Sequence, residues 1–208
     1  MGVAADERRA LCEEFERLGP DVPTLCGGWQ SRDLAAHLAL RDRRLDAAPG
    51  IMIKAFAGYT RKVQGEFAAK PWAELVELVR TGPPGWSPFA IPSLGELVNG
   101  PEYFVHHEDL RRGQSGWEPR PPDPTRDATA WSAVGRVGRL AYRRSPVGVV
   151  LRRPDGTEVT AKRGPTAVAV IGEPGELLLH AFGRTEVRVS YEGDQQAIGI
   201  VQGLDRSM

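Results

Sequence analysis

The stretch 99–112, NGPEYFVHHEDLRR, decides how the chain is read. As a helix it sets Glu102 and His106 one turn apart on one face, because side chains at i and i+4 lie one above the other along the axis. The residues between them, Tyr103, Phe104 and Val105, are apolar or aromatic, so this is not an ordinary charged surface. A carboxylate buried in such company costs on the order of several kcal/mol unless it is paired or ligated. The plain alternative is an exposed helix pair worth roughly a few tenths of a kcal/mol.

Upstream, 31–42 reads SRDLAAHLALRD. Ser31 suits an N-cap, and Asp33 suits the first turn, where its charge complements the helix dipole. Leu34, His37, Leu38, Arg41 and Leu45 then share roughly one face. A second helix of this kind can bring His37 opposite Glu102 and His106. Two imidazoles and one carboxylate make a three-ligand metal site with one position open, the catalytic rather than the closed structural pattern. A lone histidine on an apolar face is equally the mark of a hydrogen-bonded core residue, and spacing alone does not choose between the two. His107 lies about 100° round the helix from His106, which makes it solvent-facing or an outer partner. His180 reads as structural or interdomain. Asp109, one turn past His106, can orient that imidazole. Asp33 stands in the same relation to His37, or is simply the N-terminal charge of its helix.

Further out, the first half reads as helical: 4–18 with Leu11, Phe15 and Leu18 in register and Gly19-Pro20 as the stop, then the helix from Ser31 to Pro49-Gly50, a third over 51–67, a short one over 71–81, and a long one over 94–112 capped by Ser93. Pro101 is expected to kink this last helix just before the ligands. The prolines of TGPPGWSPFAIP exclude a helix there. Residues 113–125, GQSGWEPRPPDPT, form the clearest linker. Beyond it come a helix over 126–143, a β-hairpin turning at Pro154-Asp155-Gly156, a strand TAVAVIG, a short helix EPGELLLHAFG, a strand TEVRVSYEG and a last short helix from about 194. The expected class is α+β: an up-down four-helix bundle over 1–115, and a small α/β C-terminal domain over 116–208. Bundles of this kind hold metal sites between facing helices.

Composition narrows the partners. The 27 basic and 27 acidic residues cancel, so no global field draws the chain to nucleic acid or an anionic membrane. The paired arginines at 43–44, 111–112, 143–144 and 152–153 have acidic residues among them and read as solvated faces. Cys12 and Cys26 are too few for a disulfide framework and lack metal-motif spacing. No apolar run reaches the ~20 residues of a membrane helix, and MGVAADERRALCEEF has no apolar signal core. The expected location is cytoplasmic.

CGGWQSRDLAAHL taken together with EYFVHHEDL resembles the mycothiol-dependent maleylpyruvate isomerase family, within the wider DinB-like metal-binding superfamily. Trp29, Ser31, Asp33 and His37 match its first motif, and Glu102, His106, Asp109 and Leu110 its second. The resemblance implies a divalent metal, most simply zinc, held by His37, Glu102 and His106. It also implies a C-terminal Gly-Arg after an apolar helix, matched by ELLLHAFGR, with Arg184 as a catalytic group that holds an anionic substrate. The expected activity is isomerisation or S-transfer on a small electrophile, with a low-molecular-weight thiol such as mycothiol as cosubstrate. The alternative is a non-catalytic metal-binding or ligand-sensing module whose C-terminal domain mediates homodimer formation or partner contact.

Overall fold

One apolar seam sets the helices of the N-terminal half. Helix α1 (Val3–Leu18) turns Val3, Leu11, Cys12 and Phe15 inward at helical spacing. Helix α2 (Ser31–Arg43) contributes Leu34 and Leu38, α4 (Trp72–Thr81) contributes Leu75 and Val79, and α5 (Pro92–Arg112) contributes Tyr103 and Leu110. Trp72 meets Phe15 edge-to-face at 5.5 Å, an arrangement worth about 1 kcal/mol beyond the area it buries. Helix α3 (Ala57–Ala68) flanks α2, with Val63 against Leu40 and Ala47. This is a computed structural model, and it describes residues 2–51 and 53–206. The chain divides into two compact units between Glu118 and Pro119.

Element boundaries depart from expectation at several places, among them the strand expected over TEVRVSYEG, of which only Ser190–Glu192 forms. Ser31 does not cap α2: Gln30 does, in a reciprocal box with Asp33, whose Oδ2 accepts the Gln30 N–H at 3.0 Å. The Ser31 hydroxyl instead donates to the Gly19 carbonyl at 2.6 Å and ties α2 to the end of α1. Helix α2 ends at Arg43, and the expected helix over 51–67 begins only at Ala57. Before it lie two short 3-10 turns, Ala48–Ile51 and Lys54–Phe56; Met52 lies outside the described residues. Helix α5 opens at Pro92 without a side-chain cap, since a proline in the first turn has no N–H to satisfy.

In the C-terminal unit, α6 (Pro124–Ala141) is capped by Asp123, which accepts the Thr125 and Arg126 N–H groups. A four-stranded sheet follows, in the order β2 (Glu158–Lys162), β1 (Gly148–Arg152), β3 (Ala167–Ile171), β4 (Ser190–Glu192). The β1–β2 and β3–β4 pairs are antiparallel, and β1–β3 is parallel. β3 is a nearly unbroken apolar run, AVAVI, with Val168, Ala169 and Val170 all buried, as an inner strand covered on both faces should be. Helices α7 (Pro174–Ala181) and α8 (Gln195–Gln202) complete the unit, with α6 packed on α7 and β2. The class is α+β. Among the described residues no helix is long and apolar enough to cross a membrane.

Candidate metal centre

The side chains that converge lie on α2 and α5, and the helical spacing of α5 does half of the work. Glu102 Oε1 sits 3.3 Å from Nε2 of His106, one turn along the same helix, and 3.4 Å from Nε2 of His37 on α2. The two imidazole rings stand 5.1 Å apart, edge to face. The indole of Trp29 lies 5.2 Å from the His37 ring. The histidine side chains are 7% and 11% exposed and Glu102 is 22% exposed, so solvent reaches the cluster mainly at the carboxylate.

These distances suit a cation cage and are long for strong hydrogen bonds. Charge-assisted N–H···O bonds run about 2.7–2.9 Å, shorter than either contact here. A tetrahedral ion with bonds of about 2.0–2.1 Å separates its ligands by roughly 3.3–3.4 Å, which is the spacing found. One oxygen and two Nε2 atoms, all within 4.8 Å of one another, are a donor set that zinc-type ions favour. The residues fit the metal that the two motifs imply.

What stands behind the ligands fits the same reading. His106 Nδ1 lies 3.0 Å from Asp109 Oδ2; a carboxylate only accepts, so the ring donates from Nδ1 and turns Nε2 toward Glu102. Burial opposes a charged His106, but its hydrogen bonds to Asp109, Cys26 and Glu102 outweigh burial and hold it well above the ordinary histidine range. His37 moves the other way: burial lowers it, helped by the charge of His106. Burial also opposes ionisation of Glu102, yet the Arg41 guanidinium and both imidazoles hold its carboxyl well below the usual range.

Two participants were not legible as such. The Cys26 thiol donates to Asp109 Oδ2 at 3.1 Å and lies 3.8 Å from His106 Nδ1. It gets there because the loop 22–29 is stitched to the end of α5. The Leu25 N–H donates to the Asp109 carbonyl, and the Gln114 amide to the Pro23 carbonyl. Gly113 permits the approach, since a Cβ there would stand 2.6 Å from the Pro23 oxygen. Its place in the CGGW motif was the only signal for Cys26. Arg41, one turn beyond His37, sets its Nε 3.3 Å from Glu102 Oε1.

The remaining expected residues fall as follows. His107 is buried rather than solvent-facing, and its Nδ1 meets Glu7 Oε2 of α1 at 2.8 Å. Asp33 serves the α2 cap. His180 lies in the C-terminal unit between Tyr142 Oη at 2.5 Å and Tyr191 Oη at 2.9 Å. Arg184 follows α7 in the same unit, its Nη1 donating to the Phe182 carbonyl at 2.7 Å.

Residues 2–85 match the family model described as the mycothiol maleylpyruvate isomerase N-terminal domain. This is the family the two motifs resemble; the matched region contains His37 and stops short of Glu102 and His106. Two solved structures share the fold. A mycothiol-dependent maleylpyruvate isomerase aligns with a TM-score of 0.64 at 15% identity, over 91% of this chain and 90% of its own. A histidine-to-alanine mutant described under the same enzyme name aligns with a TM-score of 0.63 at 14% identity, over the same shares. No curated protein matches the chain in sequence.

Proposed function

We propose that the chain is a divalent-metal- and thiol-dependent enzyme, an isomerase or S-transferase acting on a small electrophile. His37, Glu102 and His106 would hold the metal, zinc in the simplest case. The observation that carries this reading is the convergence of one carboxylate oxygen and two imidazole nitrogens from two distant stretches within 4.8 Å of one another, the oxygen standing 3.3 and 3.4 Å from the two nitrogens. The match of residues 2–85 to a mycothiol maleylpyruvate isomerase domain supports a mycothiol-type thiol as cosubstrate.

An ion held there supplies one thing, a lowered pKa for a coordinated thiol, so that sulfur is available as thiolate near neutral pH. The protein does the rest. Asp109 keeps the His106 proton on Nδ1 and so keeps Nε2 for ligation. Trp29 covers one side of His37 and keeps water from it. Arg41 holds the Glu102 carboxylate in its ionised form. Addition of sulfur to an activated double bond moves the electron pair onto the conjugated carbonyl oxygen; rotation about the new single bond and loss of the same sulfur return the thiol and give the isomer. Displacement of a leaving group by the sulfur gives S-transfer instead.

A structural or sensing site would need a fourth protein ligand. Of the four histidines, His107 is engaged with Glu7 and His180 with Tyr142 and Tyr191, which favours the open, catalytic form. The test is metal content and turnover on one preparation. Protein supplied with zinc is expected to carry about one ion per chain and to isomerise maleylpyruvate, or conjugate an electrophilic acceptor, only when mycothiol is present. His37→Ala and His106→Ala are expected to lose both properties. A wild-type protein without stoichiometric metal sinks the reading.

A further inference from the structure

The C-terminal sheet ends on β2, and the pairing of β1 decides which main-chain groups of that strand are free. Gly148 donates its N–H to the Thr166 carbonyl, and the Arg152 carbonyl accepts the Gly172 N–H, so the even-numbered residues of β1 turn their main chain toward β3. Thr160 and Glu158 stand opposite Val150 and Arg152 in the antiparallel β1–β2 register. Residues opposite one another that exchange no bonds point their N–H and C=O groups away from each other. The main-chain groups of Glu158 and Thr160 therefore face outward, and no described residue meets them.

A free edge is a template for another strand unless it is guarded. β2 has guards: it is five residues long, its register shifts opposite Val149 and Val150, and it carries Lys162. The charges along it are nevertheless sorted. Asp155 and Glu158 stand at its start, Lys162 and Arg163 at its end. A parallel second copy would set like charges side by side, which is destabilising. An antiparallel second copy sets the acidic end of each strand on the basic end of the other. The basic end also has charge to spare. Arg163 and Arg139 of α6 line a cleft of about 510 Å³ beside the strand, together with Val159 and Ala161, and neither guanidinium is paired with a described acid.

A two-fold axis through Val159 uses all of these features. Glu158 of each copy falls opposite Thr160 of the other, and each such pair exchanges both of its main-chain bonds. The half-buried Val159 side chains meet across the axis, and Glu158 lies diagonal to Lys162, within reach of a long side chain.

We propose that β2 is an interface with a second copy of this chain, the two edges pairing antiparallel about Val159 so that the two four-stranded sheets become continuous. The association uses neither the candidate ligands nor a cosubstrate, and it holds whatever the site between α2 and α5 binds.

The experiment is sedimentation velocity on the full chain over a concentration series. Wild type is expected to pass from monomer to dimer. Thr160→Pro removes an outward N–H that β1 does not use, a place where an edge strand tolerates proline. It is expected to keep the wild-type circular dichroism and to weaken the dimer at least tenfold. Glu158→Lys and Lys162→Glu each set like charges across the axis, and each is expected to weaken self-association about tenfold at low salt. An equimolar mixture of these two variants matches every charge pair again and is expected to return toward wild-type affinity, which misfolded chains would not do. A wild type that stays monomeric up to about 1 mM chain, a folded Thr160→Pro that dimerises like wild type, or a mixture that associates no more tightly than its components overturns the proposal.

Discussion

At the scale of single residues, Glu102 Oε1 is the pivot, because two imidazole nitrogens and one guanidinium nitrogen converge on it. Asp109 works one step behind. Asp109→Asn keeps the volume but removes the charge that fixes the His106 proton on Nδ1, and it is expected to weaken metal binding roughly 10–100-fold. Competition against a chromogenic chelator measures this; unchanged affinity would reduce Asp109 to a packing residue. His107 provides the contrast, since it neighbours a ligand and serves the fold. Its partner Glu7 is 5% exposed, and leaving a buried hydrogen-bonding group without its partner costs about 1–3 kcal/mol, more for a charged one. His107→Ala is therefore expected to lower unfolding stability by about 3 kcal/mol while metal stoichiometry holds, as denaturation beside metal analysis would show. The convergence of His37, Glu102 and His106 was legible because helical spacing orients two of them and a facing helix brings the third. It misplaced His107 because a helix fixes the direction of a side chain, not which neighbouring helix covers it. Cys26 stayed hidden because its contact with Asp109 exists only after a loop folds back on α5.

At the scale of elements, that loop is the fragile part of the site. Gly113→Ala places a Cβ 2.6 Å from the Pro23 oxygen and 2.8 Å from Thr24 Cα, both backbone atoms that cannot swing aside. The loop must shift and carry Cys26 and Trp29 with it. A stability loss of about 1–3 kcal/mol is expected from such overpacking, together with weaker metal binding. Chemical denaturation and chelator competition on this variant measure the two effects; full stability with wild-type affinity would mean that the loop does not support the ligands. Long periodic elements were the legible ones, α1, α5 and the β1–β2 hairpin among them. The start of α3 was not, because a helical period through 51–56 does not reveal that the chain there closes into 3-10 turns tied down by the Thr60 hydroxyl on the Ala47 carbonyl. The Gln30 cap was missed for a related reason: Ser31 is the stronger capping residue by propensity, but its hydroxyl is claimed by Gly19 across the turn.

At the scale of the whole molecule, the two compact units should answer to separate perturbations of stability. The three candidate ligands all lie before Glu118. Saturating zinc is expected to stabilise the N-terminal unit by about 2.7 kcal/mol at one hundred times its dissociation constant, and a chelator to reverse this; a calorimetric scan that zinc does not move would contradict it. The C-terminal unit answers to pH through His180. Burial lowers its pKa from 6.5 to about 3, with the Arg206 charge adding to the effect. Between those values the unfolded chain binds the proton and the folded chain does not. Stability from this group is therefore whole above pH 6.5 and is lost as pH falls toward 3, by up to about 1.4 kcal/mol per unit. His180→Gln is expected to flatten that slope in acid denaturation, and an unchanged slope would assign it to other groups.

The most direct measurement is anomalous X-ray diffraction at the zinc edge from crystals of the zinc-supplied protein. The account expects a single peak of about one ion per chain, bonded to Nε2 of His37, Nε2 of His106 and Oε1 of Glu102, and absent from His37→Ala. A peak instead at the neighbouring cluster of Cys26, His106 Nδ1 and Asp109, or no peak between α2 and α5, would contradict it.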